Sequence, residues 1–268
     1  MDLVSVIIPT KNCEDRNLAM CFNSIKNQSY PNIEIIVVDD HSIDKTREIC
    51  ERYAKVFLAK GPTGSQRNFG AKIAKGDFIF FIDSDMELPN NLVEVCIGKA
   101  KNQDAILIED NGIAKGFWGK CHSFEKELHI GDKVVTSPRF INKTKYWEIN
   151  GLDESMLFNE DLDLHERMKK ARFRIGHISL LINHYEEESL KKIIKKYFNT
   201  YGGTAGNYLK KNPSHSLKLY LFYHPYLYIK NWRKLIKDPT YGFGSILRKI
   251  IEYISTGTGL IYFYLKKR

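Results

Sequence analysis

The chain has 268 residues, of which 43% are hydrophobic and 27% charged, ordinary values for a globular protein. They exclude a disordered, collagen-like or purely coiled-coil chain, and the length allows one large domain or one domain with an appendage. The net charge of +9 is unevenly spread: residues 1–188 hold 25 Lys and Arg against 30 Asp and Glu, and residues 189–268 hold 16 against two, with 16 of the 33 aromatic residues.

In chain order, Val4–Pro9 reads as a buried strand and Glu14–Gln28 as a helix. Ile33–Val38 (IEIIVV) is a second buried strand, Asp44–Tyr53 a helix of mixed charge and Val56–Leu58 a short strand. Ser65–Ala74 is a helix, Phe78–Ile82 (FIFFI) a strong strand, and a further helix begins near Pro89. Ala105–Ile108 closes the series. Apolar strands alternating with helices predict an α/β fold with a mostly parallel sheet covered on both faces. Residues 109–188 are less regular, and after 189 the patterns are helical only. In open α/β sheets ligands bind beyond the carboxyl ends of the strands. That rule points to Thr10–Asn12, Asp39–Ser42 and Asp83–Asp85, polar clusters that begin where a strand ends.

The five cysteines are widely spaced with no C-x-x-C, so a disulfide framework or structural zinc site is not expected and a reducing compartment fits. MDLVSVIIPTKN lacks the basic start and long apolar stretch of a signal peptide. No apolar run reaches the roughly 18 residues that a spanning helix needs.

Several constellations can carry chemistry. Asp83-Ser84-Asp85 sets two carboxylates at i and i+2, which can converge on Mg²⁺ or Mn²⁺; a plain Asp-rich turn gives the same letters. Asp39 and Asp40 can accept hydrogen bonds from a nucleobase or ribose, while Ser42 or Asp44 suits capping of the following helix. Arg67 stands near a helix start, where a guanidinium can meet a phosphate, or it is a surface arginine. Glu160, Asp161 and Asp163 open the helix LDLHERMKKA, as the macrodipole alone favours; a carboxylate there can also serve as general base. His184 can be a third metal ligand or a structural histidine.

Taken in order, VSVIIPTKN, EIIVVDDHSIDKT, the RN-x-G with AKGDFIFFIDSD, and NEDLDLHERMKK resemble the successive motifs of family 2 glycosyltransferases. The resemblance is close over residues 3–100, looser through 101–188 and weak beyond. It implies a GT-A fold and an inverting transfer from a nucleotide sugar, UDP- or GDP-linked. Pro9, Thr10 and Asn12 match the first nucleotide loop, Asp40 with Asp39 the acid at the base, and Arg67 a basic residue near base and diphosphate. Asp83, Ser84 and Asp85 match the D-x-D motif, with Asp83 and Asp85 at ribose and metal. Asp161 matches the general base of the E-D motif, and His184 a late histidine beside the metal and diphosphate. Acceptor contacts fall in variable loops, here residues 110–160 and the tail, with Glu160, Asp163 and Trp118 as candidates. The Q-x-x-R-W helix of processive members is not evident, which argues against a synthase with its own channel.

Two rival readings fit part of these residues. A nucleotidyltransferase places a Gly-rich loop after its first strand, and PTKNCED has no glycine there. A non-catalytic, degenerate transferase could dock membranes or partners through its tail; the intact Asp83, Asp85 and Asp161 set stands against it.

The expected organisation is a catalytic domain over 1–188 and a basic, aromatic helical appendage over 189–268. Lysines interleaved with aromatic rings suit an anionic membrane surface, where each cation adds about 1 kcal/mol, or nucleic acid, or a packed helical layer with lysines on its solvated face. The glycosyltransferase body favours the membrane and no nucleic acid. The expectation is a cytoplasmic enzyme, peripheral on the inner face of the cell membrane, acting on a lipid-linked glycan or polyprenyl phosphate. Donor sugar, acceptor linkage and oligomeric state stay open at this point.

Overall fold

The structure, a computed structural model, describes residues 1–132, 137–156, 159–203, 211 and 222–266. It forms two compact units: Met1–Asp110 with Asp132–Glu154 and Asp161–His184, and Asn111–Gly131 with Ser155–Glu160 and Tyr185–Arg268.

The first unit is built on a seven-stranded sheet. Its strands are β1 (Val4–Thr10), β2 (Ile33–Asp39), β3 (Lys55–Leu58), β4 (Phe78–Phe81), β6 (Ala105–Leu107), β8 (Pro138–Asn142) and β9 (Ile175–His177), in the spatial order β3-β2-β1-β4-β8-β6-β9. Strand β1 pairs in parallel with both β2 and β4, and β2 with β3. Strand β8 runs antiparallel between β4 and β6. Two short strands, β5 (Met86–Glu87) and β10 (Ile182–Tyr185), pair antiparallel, and β7 is Asp110–Ile113.

Every residue of β1 is buried, as expected of a strand covered on both faces. Its side chains alternate between two cores. Val4, Val6 and Ile8 pack with Leu18, Cys21, Phe22 and Ile25 of α1 (Leu18–Lys26) and with Leu92, Val93 and Cys96 of α4 (Leu92–Ala100). Ile7 points the other way, to Ala71 of α3 (Thr63–Ile73) and Leu164 and Met168 of α7 (Glu160–Lys170). Helix α3 lies close on the sheet at Gly70, where a Cβ would stand 2.5 Å from Ile7 Cγ2.

Two expectations are corrected. The first helix begins at Leu18 rather than Glu14. Residues before it form a loop because their amides are taken by side chains: Asn12 N–H donates to Ser42 Oγ at 2.8 Å, Cys13 N–H to Thr46 Oγ1 at 2.7 Å and Glu14 N–H to Asp44 Oδ2 at 3.2 Å. The strand at Ala105 does not close the series, since β8 and β9 extend the sheet beyond it. Strand β8 opens on Pro138, carries Arg139 before Phe140 and Ile141 and ends on Asn142, so it lacks the continuous apolar run of the parallel strands.

The second unit is mainly helical. Among the described residues its helices are α5 (Phe117–His129), α8 (Leu190–Lys196) running into a π-helical turn at Tyr197–Tyr201, then His224–Lys230, Trp232–Lys237 and the long Pro239–Lys266. Phe124 and Leu128 of α5 form a small core with Leu227 and Leu235. The helical patterns expected across 204–210 and 212–221 lie outside the described residues.

Gly70→Ala should lower stability by about 1 to 3 kcal/mol, because the added methyl overpacks against Ile7. Gly98→Ala, in α4 where a Cβ meets nothing within 4 Å, should be neutral or stabilise by up to about 1 kcal/mol. Urea midpoints at constant slope measure both, and equal effects would contradict the close α3–sheet packing.

Candidate active site

Parallel pairing aligns strand ends. Thr10 lies opposite Asp39 and Ile7 opposite Phe81, so the segments after β1, β2 and β4 emerge along one edge of the sheet.

Asp39 is the hub of the first two segments. It is fully buried and accepts from Thr10 Oγ1 at 3.0 Å, Ser42 N–H at 2.8 Å and Ser42 Oγ at 2.5 Å. Asn12 sits in the left-handed region, φ 45°, which Asn tolerates well, and its Oδ1 accepts from Ile43 N–H at 2.9 Å. Asp39, Thr10, Asn12 and Ser42 thus brace the loop and fix Pro9 and Asp40 beside it. Asp44 Oδ1 accepts from Thr46 N–H at 3.0 Å, but the N-cap of α2 (Thr46–Glu51) is Lys45 and carries no side-chain capping bond, so neither Ser42 nor Asp44 caps the helix as expected.

Asp40 is buried, with Lys11 Nζ at 2.5 Å and the Gly61 amide at 3.3 Å. Burial by itself would raise its carboxyl; the Lys11 and Gly61 hydrogen bonds prevail and hold it below the usual carboxylate value.

The turn after β4 carries the densest charge. Asp83 Oδ1 accepts from Arg67 Nη2 at 2.7 Å, and its Oδ2 lies 3.3 Å from Arg139 Nη1. Arg67 is not on the surface: it is buried on α3, with its guanidinium carbon 5.7 Å from the centre of the Phe81 ring. Ser84 is buried. Asp85 is bound by Arg16, and its Oδ1 stands 3.3 Å from His184 Nε2. His184 Nδ1 lies 2.7 Å from Asp110 Oδ2, and Arg139 Nη2 is 3.8 Å from that same oxygen. Three strands, two loops and helix α3 therefore bring Asp83, Asp85, Asp110, His184, Arg16, Arg67 and Arg139 into one network.

Desolvation would raise the Asp83 carboxyl, yet Arg67, Arg139 and His184 hold it far below the ordinary range. Asp85 is likewise lowered: burial raises it, the His184 hydrogen bond and charge with that of Arg16 lower it, and the like charge of Asp83 opposes them. The surroundings of both carboxylates thus favour the ionised form.

The expected metal ligands Asp83, Asp85 and His184 are neighbours in this network. Two hard carboxylates and an imidazole suit Mn²⁺ or Mg²⁺. Among the described residues, however, no three His, Cys, Asp or Glu side chains are gathered into an ion-holding set; in this arrangement the arginines supply the positive charge.

The remaining candidates lie elsewhere. Asp161 is in the first turn of α7, and its Oδ1 accepts from Leu162 N–H at 2.9 Å. Glu160 precedes it at the helix start. Asp163 is buried and bonded to Arg167 Nε at 2.7 Å, whose other nitrogens donate to the Ile149 and Gly151 carbonyls. Trp118, on α5, packs edge-on against Phe117, and its carbonyl accepts from Arg248 Nη1 at 2.7 Å.

Sequence reasoning missed Arg16, Arg139 and Asp110. Asp110 follows the apolar AILI and Glu109 and had the same signal, a carboxylate just beyond a strand, that singled out Asp83. Arg16 and Arg139 had none, since neither follows a strong apolar strand.

Lowered carboxyls contribute stability above their unfolded values, near 4, that is lost as pH falls through the folded ones. Arg67→Met removes one cation from Asp83 and narrows that gap. The stability difference between wild type and variant should be larger at pH 7 than at about pH 3, measured by urea unfolding; an equal difference would contradict the pairing.

Against this geometry, the sequence model of the glycosyl transferase family 2 matches residues 5–190. A Campylobacter jejuni protein, GalNAc(5)-diNAcBac-PP-undecaprenol beta-1,3-glucosyltransferase, is 31% identical over 217 residues, covering 75% of this chain and 65% of that protein. The Escherichia coli protein WfaP, UDP-Glc:alpha-D-GlcNAc-diphosphoundecaprenol beta-1,3-glucosyltransferase, is 42% identical over 92 residues, covering 32% of this chain and 36% of that one. The chain thus spans under two thirds of the length of either relative. The crystal structure of Staphylococcus aureus TarS 1–349 with UDP-GlcNAc superposes with a TM-score of 0.54 at 22% identity, over 70% of this chain and 59% of that chain, a likeness of fold.

Proposed function

The chain belongs to glycosyl transferase family 2, and from that membership in a GT-A transferase family we propose that it moves a sugar from a nucleotide-sugar donor to a lipid-linked acceptor with inversion, aided by Mn²⁺ or Mg²⁺. The observation that carries the reading is the convergence of Asp83, Asp85 and His184 with Arg16, Arg67 and Arg139 at the sheet edge where Asp40 also stands. The names of the two bacterial relatives support an undecaprenol-diphosphate-linked acceptor, and that of WfaP a UDP-sugar; a GDP-sugar is the second donor to test.

In this reading Asp40, kept ionised, accepts from the base or ribose, and the braced loop of Pro9, Thr10 and Asn12 lies along the nucleoside. Arg67, Arg16 and Arg139 turn from the carboxylates to the diphosphate oxygens, since a guanidinium can exchange one oxyanion for another without losing its charge-assisted bonds. Asp83, Asp85 and His184 would hold the cation, which when bound supplies a Lewis acid to the departing diphosphate. Asp161 takes the proton of the acceptor hydroxyl as its oxygen bonds to the anomeric carbon and the nucleoside diphosphate leaves from the opposite face. For an acceptor that is already an anionic phosphate, Asp161 orients it instead. Glu160, Asp163 and Trp118 belong to the acceptor side in this account.

We assign catalysis to residues 1–188 and attachment to residues 189–268. The excess of Lys and Arg in that second segment supports peripheral attachment to an anionic membrane surface on the cytoplasmic face, where a lipid-linked acceptor would be met.

Calorimetry with UDP, GDP, CDP and dTDP in Mn²⁺ identifies the donor class. Hydrolysis of the matching nucleotide sugar should need the cation and should vanish in Asp85→Ala. Asp161→Asn should bind donor normally and transfer about 100- to 10,000-fold more slowly. Full activity of Asp85→Ala would overturn the site assignment.

A further inference from the structure

The long C-terminal helix has its polarity reversed. Among the described residues Thr240 to Leu265 the charged side chains are Arg248, Lys249 and Glu252. Arg248 and Glu252 are buried and the Lys249 side chain is only 16% exposed. Arg248 Nε donates to Glu252 Oε1 at 2.8 Å, and Lys249 Nζ lies 2.7 Å from Glu125 Oε1 and 3.0 Å from Glu252 Oε2. The other buried positions of this helix are small: Gly242, Gly244, Ser245, Ser255 and Gly259.

The opposite face carries Phe243, Leu247, Ile250, Ile254, Ile261 and Leu265, each between 48% and 63% exposed. Steps of three, four and seven keep them on one side of the helix, along about 33 Å of its length. A helix whose outer face meets water has the reverse arrangement, and an exposed apolar strip of this extent marks an interaction surface.

The composition of the strip selects the occupant. A water-soluble helical partner, a second copy of this chain included, would meet an apolar seam flanked by charged positions. Here the flanks are Gly244, Ile246, Ile251, Tyr253, Thr258 and Leu260, none of them charged. Lipid needs no such flanks. Exposed Lys230, Arg233, Lys237 and Lys266 supply cations for anionic headgroups, and exposed Trp232 and Tyr262 are rings of the kind that settle at headgroup depth. Among the described residues no helix is long and apolar enough to cross a membrane, so the helix would lie along it.

We infer that the Phe243–Leu265 face beds into the headgroup region of an anionic bilayer, with the Arg248–Glu252–Lys249–Glu125 cluster holding the helix's charges inside the protein. This deepens the membrane attachment proposed above and rests on it.

The test is flotation of the full chain with vesicles of phosphatidylcholine alone and with one third phosphatidylglycerol. Wild type should float with the anionic vesicles and less with the neutral ones. Leu247→Gln, Ile250→Gln and Ile254→Gln combined should weaken that partition by about a hundredfold or more. A nitroxide on an Ile254→Cys variant, all five native cysteines being buried, should become more accessible to oxygen than to a nickel chelate when anionic vesicles are added. Wild type that does not float, a triple variant that floats equally, or a nitroxide that reports no change overturns the inference. So does a wild-type dimer that the triple variant loses, which would assign the face to a second copy. Mn²⁺-dependent hydrolysis of UDP-glucose or GDP-mannose, run on the same samples, reads the catalytic proposal separately: flotation without hydrolysis of either leaves the surface standing and removes the enzyme reading, and hydrolysis without flotation does the converse.

Discussion

Strand β1 hydrogen-bonds in parallel along both of its edges, to β2 and to β4. A parallel pair needs a crossover of a dozen residues or more, and here helices supply it on both faces. The strand is consequently dry on every side, which is why VSVIIPT carries a single small hydroxyl, Ser5, before its terminal threonine. Ser5 is itself satisfied by Glu34 at 2.5 Å and by the Gly76 amide at 2.9 Å. Because the three strands share a direction and a register, their carboxyl ends coincide. The Asp-rich segments that follow them are brought together by that pairing, not by any attraction among the carboxylates, which would repel.

Three arginines resolve that repulsion. A carboxylate largely withdrawn from water is costly without a partner. Asp83 meets two guanidiniums and Asp85 one guanidinium and one imidazole. The acidic pair is thereby kept ionised and positioned, and in the proposed reaction a polyanion or a divalent cation entering the edge would find partners that need only be exchanged. Arg67 shows how sheet and site are coupled: α3 lies close on β1 at Gly70, so the arginine three residues earlier reaches the end of β4.

Much of this was legible in the residues. IEIIVV and FIFFI are long enough and apolar enough to be buried strands, and the aspartates that end them are conspicuous for that reason. The central antiparallel strand was not legible, because PRFIN begins with proline, mixes polar with apolar residues and finds its partners far away in sequence. Arg139 was hidden with it. Arg67 read equally as surface or site, since burial of a guanidinium depends on Phe81 and Asp83 being near it. In the last helix, RKIIE reads as a stretch of ordinary solvated charge; only the presence of Glu125 on another helix turns those charges inward and leaves isoleucines outside. Local pattern fixes which elements form, whereas the sign of a helix face is set by distant partners.

In the proposed reaction the Asp83–Asp85 turn, held by arginines in this arrangement, receives a cation together with a nucleoside diphosphate. Electron paramagnetic resonance of Mn²⁺ titrated with protein tests it directly. Wild type should bind Mn²⁺ tightly once UDP or GDP is added and weakly without it, and Asp85→Asn should lose the nucleotide-dependent binding while keeping its fold. Mn²⁺ binding that is the same in wild type and Asp85→Asn, or that no nucleoside diphosphate strengthens, would contradict the account.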